Sequence, residues 1–168
     1  YGLLTIYYLR SQPPEQQMNV LLLGGGGREH AMAWRLSQSP LCQSLFVAPG
    51  NAGTSDYAIN LAVDPNDFPA VKAAVVAHQI SMLVCGPEEP LVRGVQDFFK
   101  ADDALKNIRF IGPSAEAAQL EGSKAYAKEF MEEFNIPTAG YRTFSAATLS
   151  GGMDYLDTRH PPIVLKAD

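Results

Sequence analysis

The chain is poor in the residues that would mark several common protein classes. Its 168 residues include two cysteines, Cys42 and Cys85, far apart and without metal-ligand spacing, which excludes a disulfide framework or a cysteine-rich zinc site. Both read as small buried fillers, and they point to a cytoplasmic setting. Basic residues are outnumbered, 13 Lys and Arg against 18 Asp and Glu, and a net charge of −5 leaves no large basic footprint for nucleic acid. No apolar run reaches the roughly 18 residues that a membrane span needs. Neither nucleic acid nor membrane is therefore expected as a partner. What remains, 46% apolar and 18% charged residues, is the composition of a soluble globular protein with one sizeable core, or one domain and part of another.

The first 17 residues, YGLLTIYYLRSQPPEQQ, do not match the rest. They lack an initiating Met, end in a Pro-rich breaker, and are followed by a natural start at Met18. Arg10 supplies their one positive charge, after the apolar run, so they do not resemble a secretory signal. They are expected to be a poorly ordered extension of cloning or reading-frame origin.

The organising stretch is NVLLLGGGGREH, Asn19 to His30. A branched apolar run, Val20 to Leu23, meets four glycines and a polar triplet that opens the helical pattern AMAWRL. This predicts strand, tight turn, helix, with the strand buried on both faces as in a parallel sheet. Such sheets bind ligands at the carboxyl ends of their strands. N–H groups at the helix start then face an anion, with about 0.3–1 kcal/mol from the helix dipole and about 1.5–3 kcal/mol from each charge-assisted hydrogen bond, Arg28 included. A phosphate is the natural guest. The plainer alternative is a tight connection that only packs strand on helix.

A dinucleotide site is disfavoured. Gly24 and Gly26 are followed by Glu29 where the G-x-G-x-x-G pattern needs a third glycine. The second strand, SLFVAPGN, carries Ala48 and Pro49 where a ribose-binding acid belongs. No G-x-x-x-x-G-K-[ST] loop is present either.

Further along, strands are predicted at Ser44 to Val47, Ala58 to Val63, Ser81 to Cys85 and Ile108 to Ile111. Helices are predicted at about Phe68 to His78 and Leu91 to Ala101, with Leu91, Val95 and Phe98 on the buried face of the latter. The alternation predicts a doubly wound parallel-sheet α/β domain from Met18 to about Ala118. The turn APGNAGT offers Asn51, which either donates to a ligand or closes an Asx-turn on its own backbone. The turn GPEEP offers Glu88 and Glu89, both placed where a helix start favours negative charge; Glu88 also suits a carboxylate accepting from sugar hydroxyls. His78 reads as a cap at a helix end. A second unit follows: a helix over Ser123 to Asn135 with a core stripe of Tyr126, Phe130 and Phe134, a strand at Gly140 to Phe144, a helix at Ala146 to Leu156, and a strand at Ile163 to Lys166 that looks cut short.

GGGGREHA (24 to 31), VAPGNAGT (47 to 54), VCGPEEPLVRGV (84 to 95), IGPSAEAAQLEGSKAYAKEF (111 to 130), IPTA (136 to 139) and PIVLKAD (162 to 168) closely resemble the glycinamide ribonucleotide synthetase (phosphoribosylamine-glycine ligase) family. The resemblance covers Met18 to Asp168. It implies a Rossmann-like, pre-ATP-grasp domain over residues 18–118 and an incomplete, truncated ATP-grasp segment over 119–168, with residues 1–17 outside the family pattern. It also implies an ATP-dependent, carbon-nitrogen-bond-forming ligase of purine synthesis, which joins glycine to 5-phosphoribosylamine through a glycyl phosphate. Magnesium (or manganese) holds the nucleotide phosphates in that chemistry. By motif position, Gly25, Gly26, Gly27, Arg28, Glu29, Asn51, Gly86, Pro87 and Glu88 line the sugar-phosphate site, and Lys124 and Lys166 approach the ATP phosphates. The metal-binding acids of the family have no counterpart here, so no metal ligand is assigned and the chain alone is expected to be inactive. A non-catalytic sugar-phosphate-binding module and, less favoured, an NAD(P)-dependent oxidoreductase are the alternatives.

Overall fold

A computed structural model describes residues 17–167. The expected extension therefore lies outside the described residues except for Gln17, which is exposed and donates from its side-chain amide to the Pro40 carbonyl at 3.1 Å. The strands are β1 (Met18–Gly24), β2 (Cys42–Pro49), β3 (Ile59–Asn60), β4 (Met82–Cys85) and β5 (Arg109–Ile111). All pair in parallel, in the order β3-β2-β1-β4-β5. The helices are α1 (Gly27–Ser37), α2 (Phe68–Ala77), α3 (Glu88–Val92), α4 (Val95–Ala101), α5 (Ala115–Gly122), α6 (Lys124–Glu133) and α7 (Leu149–Asp157). None is long and apolar enough to cross a membrane.

The apolar run of β1 is continuous because both its faces are covered. Leu21 and Leu23 join a core built with Val71 and Val75 of α2, Leu91, Val95 and Phe99. Val20 and Leu22 point the other way, toward Leu45, Val47 and Ala33 of α1. The Leu21, Leu22 and Leu23 side chains are fully buried, and truncating any one to alanine is expected to cost about 2–5 kcal/mol. Helix α1 lies on one face and α2 on the other because the chain winds outward from β1 to β3, then crosses back to β4. Right-handed crossovers in opposite directions put their helices on opposite faces. The reversal makes the gap between the carboxyl ends of β1 and β4 the switch point of the sheet, where open α/β folds form a crevice.

The parallel doubly wound sheet matches the expectation, and several elements differ from it. The third strand is two residues at an exposed edge. The expected helix at Leu91 to Ala101 starts earlier and splits into α3 and α4 at Gly94, whose φ of +91° is left-handed. The break shifts the helical phase, so Phe99 and not Phe98 is the deeply buried ring. Helix α5 has no counterpart in the sequence reading; Ser114 caps it by accepting from the Ala117 N–H at 3.3 Å.

Residues 140–144 and 163–166 form no strands. A strand needs a neighbour for its N–H and C=O groups, and among the described residues none lies beside these segments; Val164 and Leu165 are about three-quarters exposed. The expected 146–156 helix is a 3₁₀ turn at Ala146–Thr148 followed by α7. The stripe on α6 is not core either: no residue of α6 is fully buried, and Phe134 is exposed, with its ring 4.5 Å from that of Phe130.

Candidate functional site

The turns after β1, β2 and β4 meet at the switch point, and their polar groups bind one another. The first turn is Gly24 to Arg28, with Gly26 as the N-cap of α1. Glycine has no side chain to cap with, so the cap is one-sided: Glu29 reaches back and its Oε2 accepts from the Gly26 N–H at 2.7 Å. By helix geometry the N–H groups of Gly27 and Arg28 have no intrahelical acceptor. Gly26, Gly27 and Arg28 are all exposed, so these donors open onto the crevice.

Glu29 is 4% exposed although its side chain ends in a carboxyl group. Its side chain fills the space between the first and third turns. A Cβ built on Gly24 would lie 2.6 Å from Glu29 Cγ, and one on Gly86 would lie 2.3 Å from Glu29 Oε1. Both glycines are needed because this carboxylate already occupies the place of a side chain. Oε1 is buried and has no hydrogen-bond partner. Beside it, burial first and the negative charge of Glu29 second push the Cys85 thiol up to about 12. Cys42 is raised by burial, and both cysteines are free thiols.

The second turn is organised by Asn51. Its Oδ1 accepts from the N–H groups of Gly53 (2.8 Å) and Thr54 (3.0 Å), which closes the Asx-turn. Its Nδ2 donates to the carbonyl of Gly25 at 2.9 Å, 26 residues away, and more weakly to that of Gly26 at 3.4 Å. The side-chain amide therefore tethers the second turn to the first. Thr54, fully buried, accepts from the Asn51 N–H at 2.8 Å and donates to Asn60 Oδ1 at 2.8 Å, while Asn60 Nδ2 donates to the Asn51 carbonyl at 2.8 Å. Sequence reasoning missed Asn60. The available signal was an amide inside an otherwise apolar strand pattern.

The third turn, Gly86 to Glu88, is tied to β1 by the Gly86 N–H donating to the Leu23 carbonyl at 3.2 Å. Pro87 packs its Cδ over Gly24, and Glu88 opens α3. Arg28 Nη2 lies 3.4 Å from Glu88 Oε2, joining the first and third turns across the crevice mouth. Hydrogen bonds, the ion pair and close packing thus bring together eight residues from Gly25 to Glu88, and Gly27 stands open beside them. His78 is the C-cap of α2, as expected, its N–H donating to the Ala74 carbonyl at 3.0 Å; its ring also packs 4.4 Å from that of Phe46, and the Asn19 side-chain amide donates to its carbonyl at 3.0 Å. Lys124 opens α6, and Lys166 lies in the irregular stretch after α7.

The arrangement is an exposed turn at a helix start, with the Arg28 guanidinium at its rim, the Glu88 carboxylate beside it and the Glu29 side chain buried beneath it. Residues 18–121 match the family model described as Phosphoribosylglycinamide synthetase, N domain. The chain belongs to this family. It is 46% identical over 153 residues to a phosphoribosylamine–glycine ligase of Escherichia coli (strain K12), and 47% identical over 151 residues to one of Mesorhizobium japonicum. Each alignment covers 90% of this chain and 34% of the relative, so the chain spans about a third of the length of these relatives. A crystal structure of the Thermotoga maritima phosphoribosylamine–glycine ligase matches with a TM-score of 0.56 and 28% identity, over 82% of this chain and 30% of that one. The ADP complex of an N5-carboxyaminoimidazole ribonucleotide synthetase matches at TM-score 0.59 and 17% identity, over 85% of this chain and 36% of that one, a likeness of fold alone. Membership of a synthetase N-domain family, and not a dinucleotide-dependent one, agrees with the position of Glu29. The third glycine of a dinucleotide turn is replaced by a side chain that fills the crevice floor.

Proposed function

We propose that this chain is the amino-terminal part of a phosphoribosylamine–glycine ligase and that its switch-point crevice takes the phosphate and sugar of 5-phosphoribosylamine. The observation that carries this reading is the convergence of the three turns on one exposed cradle within a family-matched domain. The first-turn N–H groups and Arg28 hold the phosphoryl oxygens. Glu88 accepts from sugar hydroxyls, and Gly86 and Pro87 shape the wall. Asn51 and Glu29 act one step back: Asn51 through both atoms of its amide, and Glu29 through Oε2, bind backbone groups and so hold the turns in place.

Residues 18–118 form the sugar-phosphate unit and 119–168 the beginning of the ATP-binding unit. Lys124 and Lys166 are assigned to the ATP phosphates on motif position; a long flexible ammonium suits a phosphate whose position shifts during transfer. Phosphorylation of the glycine carboxylate gives it a leaving group, after which the sugar's amine attacks and phosphate departs. Among the described residues no group of three or more His, Cys, Asp or Glu is placed to hold a metal, so these residues do not fit a magnesium or manganese site. A cytoplasmic setting accords with the two free thiols.

The test is thermal unfolding with ribose 5-phosphate, glycinamide ribonucleotide or NAD. The two sugar phosphates are expected to stabilise the chain, by about 2.7 kcal/mol at a hundred times Kd, and NAD is not. Stabilisation by NAD alone would overturn the assignment.

A further inference from the structure

The ion pair between Arg28 and Glu88 is the link most easily broken at the site. Its partners are 60 residues apart in sequence, 3.4 Å apart in space, and more than half exposed, at 62% and 52%. Exposed pairs of this length are weak because water competes for both charges. A phosphate dianion carries more charge and offers a guanidinium two parallel acceptors. It therefore displaces a single carboxylate oxygen from Arg28.

The parts beneath the pair are held. Glu29 Oε2 fixes Gly26, and Asn51 fixes Gly25, so exchange at the rim need not disturb the turns. Glu29 adds a second observation. It is more than nine-tenths buried and directs Oε1 between the first and third turns with no donor to meet it. The crevice floor thus holds an unmet acceptor. That favours a ligand carrying hydroxyl or amine donors next to its phosphate over phosphate alone.

Resting on the sugar-phosphate reading above, we infer that Arg28 and Glu88 form an exchange pair that makes the site selective for a phosphorylated sugar over free phosphate. Without ligand the two charges neutralise each other and lower the pull on inorganic phosphate. A sugar phosphate takes Arg28 with its phosphoryl group and engages the released Glu88 with its hydroxyls. Inorganic phosphate breaks the pair and leaves Glu88 without a partner.

The experiment is calorimetric titration of the chain with inorganic phosphate and with ribose 5-phosphate, in the wild type, Glu88→Gln, Arg28→Gln and the double variant. The wild type is expected to favour the sugar phosphate. Glu88→Gln is expected to bind inorganic phosphate about two- to fivefold more tightly, because Arg28 no longer has a competing partner. The preference for ribose 5-phosphate over phosphate should fall about tenfold, as a charged acceptor is lost at the same time. With Arg28→Gln present, Glu88→Gln should no longer tighten phosphate binding. Unchanged preference in Glu88→Gln, with ribose 5-phosphate still bound by the wild type, overturns the exchange and leaves the sugar-phosphate reading standing. Failure of the wild type to bind ribose 5-phosphate overturns both. Both side chains are exposed, and unfolding curves of each variant establish that the fold is intact.

Discussion

Replacing Gly86 with alanine tests whether Glu29 is the strut of the crevice. The added methyl would lie 2.3 Å from Glu29 Oε1 and 2.7–2.8 Å from Cγ and Cδ, too close for any pair of heavy atoms. Glu29 must move, and moving it breaks the 2.7 Å bond to the Gly26 N–H. Overpacking costs about 1–3 kcal/mol and a charge-assisted hydrogen bond about 1.5–3 kcal/mol. The alanine restricts the unfolded chain and returns about 0.4–1 kcal/mol. The expected net loss is about 2–4 kcal/mol, or about 4–16 °C in Tm for a domain of this size. The decisive measurement is the double variant Gly86→Ala with Glu29→Ala, followed by urea unfolding. Truncating Glu29 vacates the space that the methyl needs, so Gly86→Ala should then cost less than about 0.5 kcal/mol, a coupling of about 1.5 kcal/mol or more. Additive losses, or a nearly neutral Gly86→Ala on its own, would refute the strut.

Asn51→Asp keeps the Asx-turn acceptor but turns an oxygen toward the Gly25 carbonyl; it should destabilise by about 2–3 kcal/mol, close to Asn51→Ala, and equilibrium unfolding that finds Asp as good as Asn would contradict the tether. Cys85, held protonated by burial and by Glu29, should resist iodoacetamide at pH 8 in the folded chain and react on unfolding, as peptide mass mapping would show. Asp102 is held below the usual carboxylate range, first by its hydrogen bond with Lys72 and next by the Ala104 N–H. A lowered folded pKa contributes stability above the ordinary aspartate value of 3.8 that is lost as pH falls through the folded pKa. Asp102→Asn should therefore flatten the fall in stability below about pH 4, and an unchanged acid limb would count against it. Ser114→Ala should lower stability by about 1 kcal/mol through loss of the α5 cap, measured by urea unfolding.

Much of the first unit was legible in the residues because its signals are local. A continuous apolar run bounded by glycines specifies a strand buried on both faces wherever it folds, and Asp67 before Phe68 caps α2 in place, accepting from the Ala70 N–H at 3.1 Å. The turns that the motifs named lie together, since a parallel sheet sends every βα turn to one edge. Elements that depend on partners were not legible. The segments 140–144 and 163–166 have strand composition but no neighbour to pair with among the described residues, and the stripe on α6 has helical spacing without a surface that buries it. The helix expected over Leu91 to Ala101 breaks at Gly94, whose φ is +91°, and the local apolar spacing carries no mark of that break.

The sequence by itself determined the class of the fold, the order of its first strands and the loops that make the crevice, because hydrophobic periodicity and turn chemistry act over a few residues. Tertiary structure alone decided what those loop residues do. Asn51 and Gly25, Arg28 and Glu88, and Glu29 and Gly86 meet only once β2 and β4 have docked on either side of β1. Whether a polar side chain faces a ligand or braces a neighbouring turn depends on contacts made across 26 to 60 residues, beyond the reach of any local pattern.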